Sequence, residues 1–277
     1  MVNLFGKGFI GGTYASLYPC VVNDRNNLEP DLEHARDILY MISTVDNYHV
    51  TTNPYIDIDT NLTTLIKVLE NWRKDLYRSE DSVFNFASSW FVYGDTNLPA
   101  REDSNCNPKG FYSITKRAAE QLLISYCETY KLNYRILRFA NVLGPGDTKV
   151  SKKKNAVTYL INEMKNHRPI DVYEGGEFIR DYIHVNDLCK AVNLVVNRGE
   201  LNATYNIGNG NPTQFIDIIN YAVALGSQSK INMVEQAKFH KIVQVKSMYM
   251  DTVKIQSLGY QPDYSIHDIV TELYNIE

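Results

Sequence analysis

Tyr112 and Lys116 stand four residues apart in GFYSITKRAAEQ, residues 110–121. On a helix that spacing puts both on one face, so the Lys116 ammonium comes near whatever the Tyr112 phenol touches. A phenol beside a cation ionises more readily, because the positive charge favours the phenolate. Such a pair suits proton transfer. It equally suits an idle surface contact, since a chain with 20 tyrosines forms Tyr-x-x-x-Lys by chance. A second group bears on the choice. Gly6, Gly8 and Gly11 form G-x-G-x-x-G directly after the apolar run VNLF, with Phe9 and Ile10 between the last two glycines, and Asp24 ends a second apolar run, CVVND. Between a strand and a helix, such glycines allow a tight turn and a close backbone approach to a pyrophosphate, whose charge the helix N-terminus favours. An acid that ends the next strand is placed to hydrogen-bond a ribose 2′-hydroxyl. The glycines alone are a weak signal; in this context they point to a dinucleotide. Ser88 and Ser89 close the run SVFNFASS, at the strand end where open α/β sheets bind ligands, although two serines also cap turns.

The elements that must position these residues alternate in type. VNLF at 2–5, CVVND at 20–24, DILYMIS at 37–43, SVFNFASS at 82–89 and NYRILRFANVLG at 133–144 read as strands. Residues 60–74 and 112–130 read as helices, with a short first helix from Gly11 to about Tyr18. Strands alternating with helices predict an α/β fold, a Rossmann-type doubly wound parallel sheet. After GPGD at 144–147 the pattern is less regular: a helix at 155–166, a turn at 174–177, a helix at 184–197, and a strand with its turn at 204–210. We expect a dinucleotide-binding domain over 1–144, to which 180–207 return, and a small C-terminal lobe over 145–277 that mainly binds substrate.

Composition narrows the function. The 277 residues are 44% hydrophobic and 22% charged, enough apolar material for one or two cores. A formal net charge of -4 gives no electrostatic reason to bind nucleic acid or an anionic membrane. The basic run Lys152, Lys153 and Lys154 reads as a solvated loop, with lysines near substrate phosphates as the alternative. Cys20, Cys106, Cys127 and Cys189 lie far apart, which predicts neither a metal site nor a disulfide framework and fits a reducing compartment. No apolar stretch approaches the roughly 18 residues of a membrane span, and the N-terminus lacks the order of a signal peptide. The expectation is a cytoplasmic protein.

Several ordered motifs carry a family resemblance. Ser89, Tyr112 and Lys116, with SSWFVYG at 88–94 and GFYSITK at 110–116, resemble the catalytic set of the extended short-chain dehydrogenase/reductase superfamily. Within it the chain resembles the NAD-dependent epimerase/dehydratase family that acts on nucleotide sugars. LRFANVLGPG at 137–146, FIRDYIHVNDL at 178–188, YNIGNG at 205–210 and DTVKIQSLGYQP at 251–262 resemble that family's later motifs. The likeness runs from Gly6 to Pro262. It implies hydride transfer at C4 of a hexose on a nucleoside diphosphate, with NAD as cofactor and NADP as the alternative. Tyr112 would act as general acid and base on the 4-hydroxyl, Lys116 would assist it and hold the nicotinamide ribose, and Ser89 would hydrogen-bond the sugar oxygen. The resemblance further implies cofactor contacts at Ser43, Thr44 and Asn61, and substrate contacts at Trp90, Asn141 and Arg180, the last pairing with the diphosphate. It also implies a homodimer through the helices at 60–74 and 112–130.

The chain departs from that pattern in four places. Residues 25–36, between Asp24 and Asp37, replace a strand and a helix that usually contribute adenine contacts, so the adenine pocket should be reduced or open. Trp90 and Phe91 stand where the family's 4,6-dehydratases carry an Asp-Glu pair, which leaves 4-epimerisation or reduction of a 4-keto sugar. Arg25, beside Asp24, could stabilise a 2′-phosphate. A second phosphate-binding arginine before Asp251 is missing, with His240, Lys241 or Lys246 as replacements. A non-catalytic dinucleotide sensor is the remaining alternative, which the intact Ser89, Tyr112 and Lys116 set opposes.

Overall fold

The computed structural model describes residues 1–23, 26–45, 47–147, 151 and 155–276. Asp24, Arg25 and Lys152 to Lys154 lie outside them.

Strand β1 (Val2–Phe5) is buried at all of its positions and ends at the glycine turn, from which helix α1 (Phe9–Leu17) starts two residues before Gly11. Strands β2 (Cys20–Asn23) and β3 (Asp37–Tyr40) follow. The helix read at 60–74 is composite: α2 (Tyr55–Ile58) runs through a π turn at Asp59–Thr63 into α3 (Thr64–Lys74). Leu65, Val68, Leu69 and Trp72 of α3 are buried at helical spacing against the sheet. Strand β4 (Val83–Ser89) is buried throughout, as a central strand must be, and leads to helix α4 (Phe111–Tyr130).

The run at 133–144 is two strands, β5 (Asn133–Phe139) and β6 (Asn141–Leu143). They separate because the Ala140 amide donates to Ile207 at 2.9 Å, while the Asn141 amide turns to Asp181 at 3.1 Å. Beyond lie α5 (Ala156–Lys165), β7 (Ile170–Tyr173), β8 (Ile179–Arg180), β9 (Tyr182–His184), α6 (Val185–Arg198) and β10 (Ala203–Ile207). The chain ends with β11 (Thr213–Gln214), α7 (Phe215–Ala224), β12 (Ile231–Val234), α8 (Lys238–Val243), α9 (Val253–Gln256) and α10 (Ile266–Asn275).

The central sheet has six strands in the order β10-β5-β4-β3-β1-β2, every pair parallel. Alternation along β1 divides the two covering layers. Leu4 packs in a cluster with Tyr14 of α1 and Leu188 and Val192 of α6, whereas Phe5 packs with Leu65 of α3 and Leu123 of α4. This is the Rossmann-type, doubly wound architecture the alternating pattern predicts. A third apolar cluster joins α5, α7 and α10 to β7. Among the described residues no helix is long and apolar enough to cross a membrane, and Cys20, Cys106, Cys127 and Cys189 are free.

Candidate functional site

A cleft of about 1320 Å³ runs along the C-terminal ends of β1, β3, β4 and β5, where a parallel sheet binds its ligands. That exceeds the roughly 300–1,000 Å³ of an ordinary small-molecule site and leaves room for two ligands side by side.

One end is a backbone cradle. Gly6 holds φ +101°, and a Cβ added there would come within 2.7 Å of the Met41 backbone. A Cβ on Gly11 would meet the Gly6 carbonyl oxygen at 2.1 Å, so only glycine lets α1 start this close to β1. Gly8 differs: nothing lies within 4 Å of its missing Cβ. It caps α1 with no side-chain bond, so the first amides of the helix face the open cleft. Phe9 and Ile10 line the same end. A pyrophosphate fits this cradle, because backbone donors and the helix dipole meet there with no side chain between.

Ser43 and Thr44 line the cleft wall after β3. Asn61, in the π turn, is 1% exposed, and its amide is engaged inside the protein. Its Oδ1 accepts from the Thr44 amide at 3.0 Å, and its Nδ2 donates to the hydroxyls of Thr44 at 2.8 Å and Thr115 at 2.9 Å. It thereby fastens the Ser43–Thr44 turn to α4. Residues 26–36 run beneath the sheet toward α3, where Asn71 donates to the Leu28 carbonyl at 3.1 Å and Trp72 to that of Arg36 at 3.2 Å. Strand β2 is the sheet's edge, and Val22 and Asn23 are its contribution to the cleft.

Ser89, Tyr112 and Lys116 line the middle of the cleft together. Lys116 is 1% exposed; its Nζ donates to the Ala87 carbonyl at 2.6 Å and lies 4.2 Å from the Phe86 ring centroid. Burial pushes its ammonium down to about 7, with the Glu120 charge acting in the opposite direction. The Tyr112 ring meets Phe91 edge-on at 5.9 Å, and Phe91 stacks on Trp90 at 3.9 Å. Trp90 and Phe91 both line the cleft, as an aromatic wall beside Ser89.

After β5, Asn141 lines the cleft and donates its Nδ2 to the Asp181 carbonyl at 3.0 Å. Arg180 is 9% exposed and does not line the cleft. Its guanidinium donates to the carbonyls of Ile179 at 2.8 Å, Lys246 at 2.9 Å and Val245 at 2.8 Å, and lies 5.3 Å from the Trp90 ring centroid. Burial pushes this group down to about 10. His240 contacts the Tyr48 hydroxyl, so α8 reaches the segment after β3. Lys241 pairs with Glu174 at 3.5 Å.

Sequence reading missed several residues. Asp147 and Asn155 line the cleft and join through Asn155 Nδ2 at 3.1 Å; Asp147 stood in the quoted GPGD, but nothing marked Asn155. Behind the Tyr112 and Lys116 face of α4 lies a buried pair, Glu120 and Arg138, held by bonds of 3.0 and 2.9 Å. Its signal was visible: an acid on the buried face of a helix and an arginine inside an apolar strand each require a partner.

A family model described as NAD dependent epimerase/dehydratase family matches residues 11–208. A putative UDP-glucose 4-epimerase of Methanocaldococcus jannaschii is 27% identical over 242 residues, covering 86% of this chain and 75% of that protein. A low-salt glycan biosynthesis protein of Haloferax volcanii is 31% identical over 181 residues, covering 64% of this chain and 56% of its own. Among solved structures, UDP-glucose 4-epimerase of Thermotoga maritima with UDP-glucose gives a TM-score of 0.84 at 22% identity, over 99% of this chain and 96% of that one. UDP-glucuronic acid 4-epimerase of Bacillus cereus, in complex with UDP-glucuronic acid and NAD, gives 0.84 at 19% identity, over 99% and 98%. At these identities the structural likeness speaks for the fold.

Proposed function

The chain belongs to the NAD dependent epimerase/dehydratase family, and on that premise we propose that it is a nucleotide-sugar 4-epimerase acting on a UDP-hexose. The observation that carries this reading is the convergence of Ser89, Tyr112 and Lys116 in one cleft with the Gly6, Gly8 and Gly11 cradle. The aromatic pair Trp90 and Phe91 supports epimerisation over dehydration, because elimination of water needs an acid and a base that these side chains lack.

When bound in the cradle, NAD supplies an acceptor and a donor of hydride at the sugar's C4. Tyr112 takes the proton of the 4-hydroxyl as C4 is oxidised and returns it to the oxygen when C4 is reduced from its other face. Ser89 donates a hydrogen bond to that oxygen throughout. Lys116, while protonated, places a positive charge beside Tyr112 and favours its proton-accepting form. Trp90 and Phe91 wall the sugar and exclude water from the keto stage. Asn141 contacts the sugar side. Arg180 lends charge to the diphosphate once substrate separates its guanidinium from the carbonyls of Val245 and Lys246. Residues 1–144, joined by 180–207, hold the dinucleotide, and the rest mainly holds the substrate. Ser43 and Thr44 contact the cofactor, with Asn61 behind them.

Purification without added cofactor tests the reading. The account expects NAD to be released on denaturation, and UDP-glucose and UDP-galactose to interconvert with no external reductant. Absence of interconversion with saturating NAD, across UDP-hexose pairs, would overturn it. A second reading, a 4-ketoreductase that exchanges its cofactor each turnover, is favoured by the position of β2 at the sheet's edge, where the adenine would sit. An empty protein that oxidises NADH or NADPH with a 4-keto-6-deoxy sugar would select it.

A further inference from the structure

Outside the cleft, one helical turn beyond Lys116 and two beyond Tyr112 on the same face of α4, stands Glu120. Glu120 is 0% exposed, Arg138 3% and Ser88 4%. Four donors converge on the carboxylate. Oε1 accepts from Ser88 Oγ at 2.6 Å and Arg138 Nε at 3.0 Å. Oε2 accepts from Arg138 Nη2 at 2.9 Å and Arg117 Nη1 at 2.7 Å. Each donor belongs to an element that carries part of the site. Ser88 precedes Ser89 at the end of β4, and Arg138 of β5 precedes the cleft-lining Phe139, Ala140 and Asn141. Arg138 also donates Nη1 to the Glu102 carbonyl at 3.1 Å and lies 4.7 Å from the Tyr93 ring centroid.

We propose that Glu120 is a positioning residue for the Tyr112–Lys116 face: its carboxylate bolts α4 to the ends of β4 and β5 and sets a negative charge one turn from the Lys116 ammonium. A buried pair of this kind is a poor source of stability, because desolvation offsets most of the attraction, whereas its directional bonds fix register. The register at stake is the distance from Tyr112 to Ser89, since the Ser88 bond to Glu120 and the Lys116 bond to Ala87 both tie the end of β4 to this face of α4.

The charge matters as well. The groups beside Lys116 are Tyr112 and Glu120 on the same face of α4 and the uncharged Phe86 ring and Ala87 carbonyl of β4. Beyond Glu120 stand Arg138 and Arg117. Burial opposes ionisation of Glu120, but Arg138 holds its carboxyl below the ordinary range, so the pair is ionised. Removing the negative charge leaves two guanidinium groups to repel the Lys116 proton.

The inference rests on the epimerase reading for its kinetic assay, with UDP-glucose and NAD as the probe. In Glu120→Gln, which keeps the shape, kcat should fall roughly 10- to 100-fold, as expected for a small misplacement of reacting groups, with KM little changed. The alkaline fall of kcat/KM should begin at lower pH, a change that a role in stability alone would not produce. Ser88→Ala cuts the bond to β4 and keeps the charge; kcat should fall with no movement of the pH limb. Unchanged kcat and pH limb in folded Glu120→Gln would overturn the proposal. If that variant fails to fold, unchanged kcat in Ser88→Ala would overturn it alone. Hydrogen exchange over 86–92 and 111–123, without substrate, gives a reading independent of turnover. Faster exchange confined to those segments in Ser88→Ala is expected, and none would count against the bolt. A parent protein inactive on UDP-glucose would sink the epimerase reading and leave this comparison to decide.

Discussion

The Lys116 ammonium donates 2.6 Å to the backbone carbonyl of Ala87, two residues before Ser89, and is shut from solvent between that carbonyl and the Phe86 ring. Its folded pKa of about 7 lies below the ordinary 10.5, and the cause is burial. A lysine depressed in this way binds fewer protons folded than unfolded between those values. The penalty for its charge is therefore full below pH 7 and gone above 10.5. The stability of the cofactor-free protein should rise, relative to Lys116→Met, as pH climbs through that window. Parallel melting curves across the window would remove the buried cation from the account.

Gly8 and Gly11 should separate cofactor binding from folding. Gly11→Ala drives a methyl into the Gly6 carbonyl and should cost roughly 1–3 kcal/mol as an overpacked site. Gly8→Ala meets nothing within 4 Å, so melting should hardly move while NAD affinity falls, because the methyl fills the place of the pyrophosphate. Calorimetric titration of both variants with NAD checks this; full affinity in Gly8→Ala would place the pyrophosphate elsewhere.

Arg180 should affect both stability and substrate binding. Arg180→Met leaves the carbonyls of Ile179, Val245 and Lys246 without its donors and should lower stability by roughly 1–3 kcal/mol. The proposed diphosphate role adds a rise in KM for UDP-glucose. A stability loss with KM unmoved would make Arg180 a strut and nothing more.

Assembly is a fourth test. Leu65, Leu69, Ala119, Leu123 and Cys127 are buried within the chain, whereas Leu122 is 41% and Tyr130 46% exposed on the outer face. There Arg73 donates to the Tyr126 hydroxyl at 2.8 Å and lies 4.2 Å from the Tyr130 ring centroid. Much of the apolar material of these helices is thus turned inward, yet α3 and α4 still present one joined face. We expect this face to pair with its two-fold copy. Light scattering should give twice the 31.8 kDa chain mass, and a value near 31.8 kDa would decide for a monomer.

The central sheet was legible because its strands are short apolar runs separated by glycines and amphipathic helices. Its details were set by tertiary contacts that no periodicity encodes. The run at 133–144 breaks after Ala140 because the Asn141 amide leaves the central sheet for Asp181, far along the chain. Strands β7 and β12 exist because residues 170–173 and 231–234 pair with each other, and α7 and α10 face each other in the third cluster. At the site, the glycines could be read from their place between a strand and a helix, and Ser89, Tyr112 and Lys116 through the resemblance of their motifs to the family. The engagement of Arg180 could not, because two of its three acceptors, Val245 and Lys246, lie more than 60 residues away in sequence.

UDP-glucose deuterated at C4, incubated with the protein and NAD, tests the central claim most directly. If C4 is oxidised and reduced within one closed cleft, UDP-galactose should form with the deuterium still on C4 and with no external reductant consumed. The rate should fall roughly 10²- to 10⁴-fold in Tyr112→Phe. Product that has lost its deuterium, or no product while added NADH is consumed with a 4-keto sugar, would contradict the account.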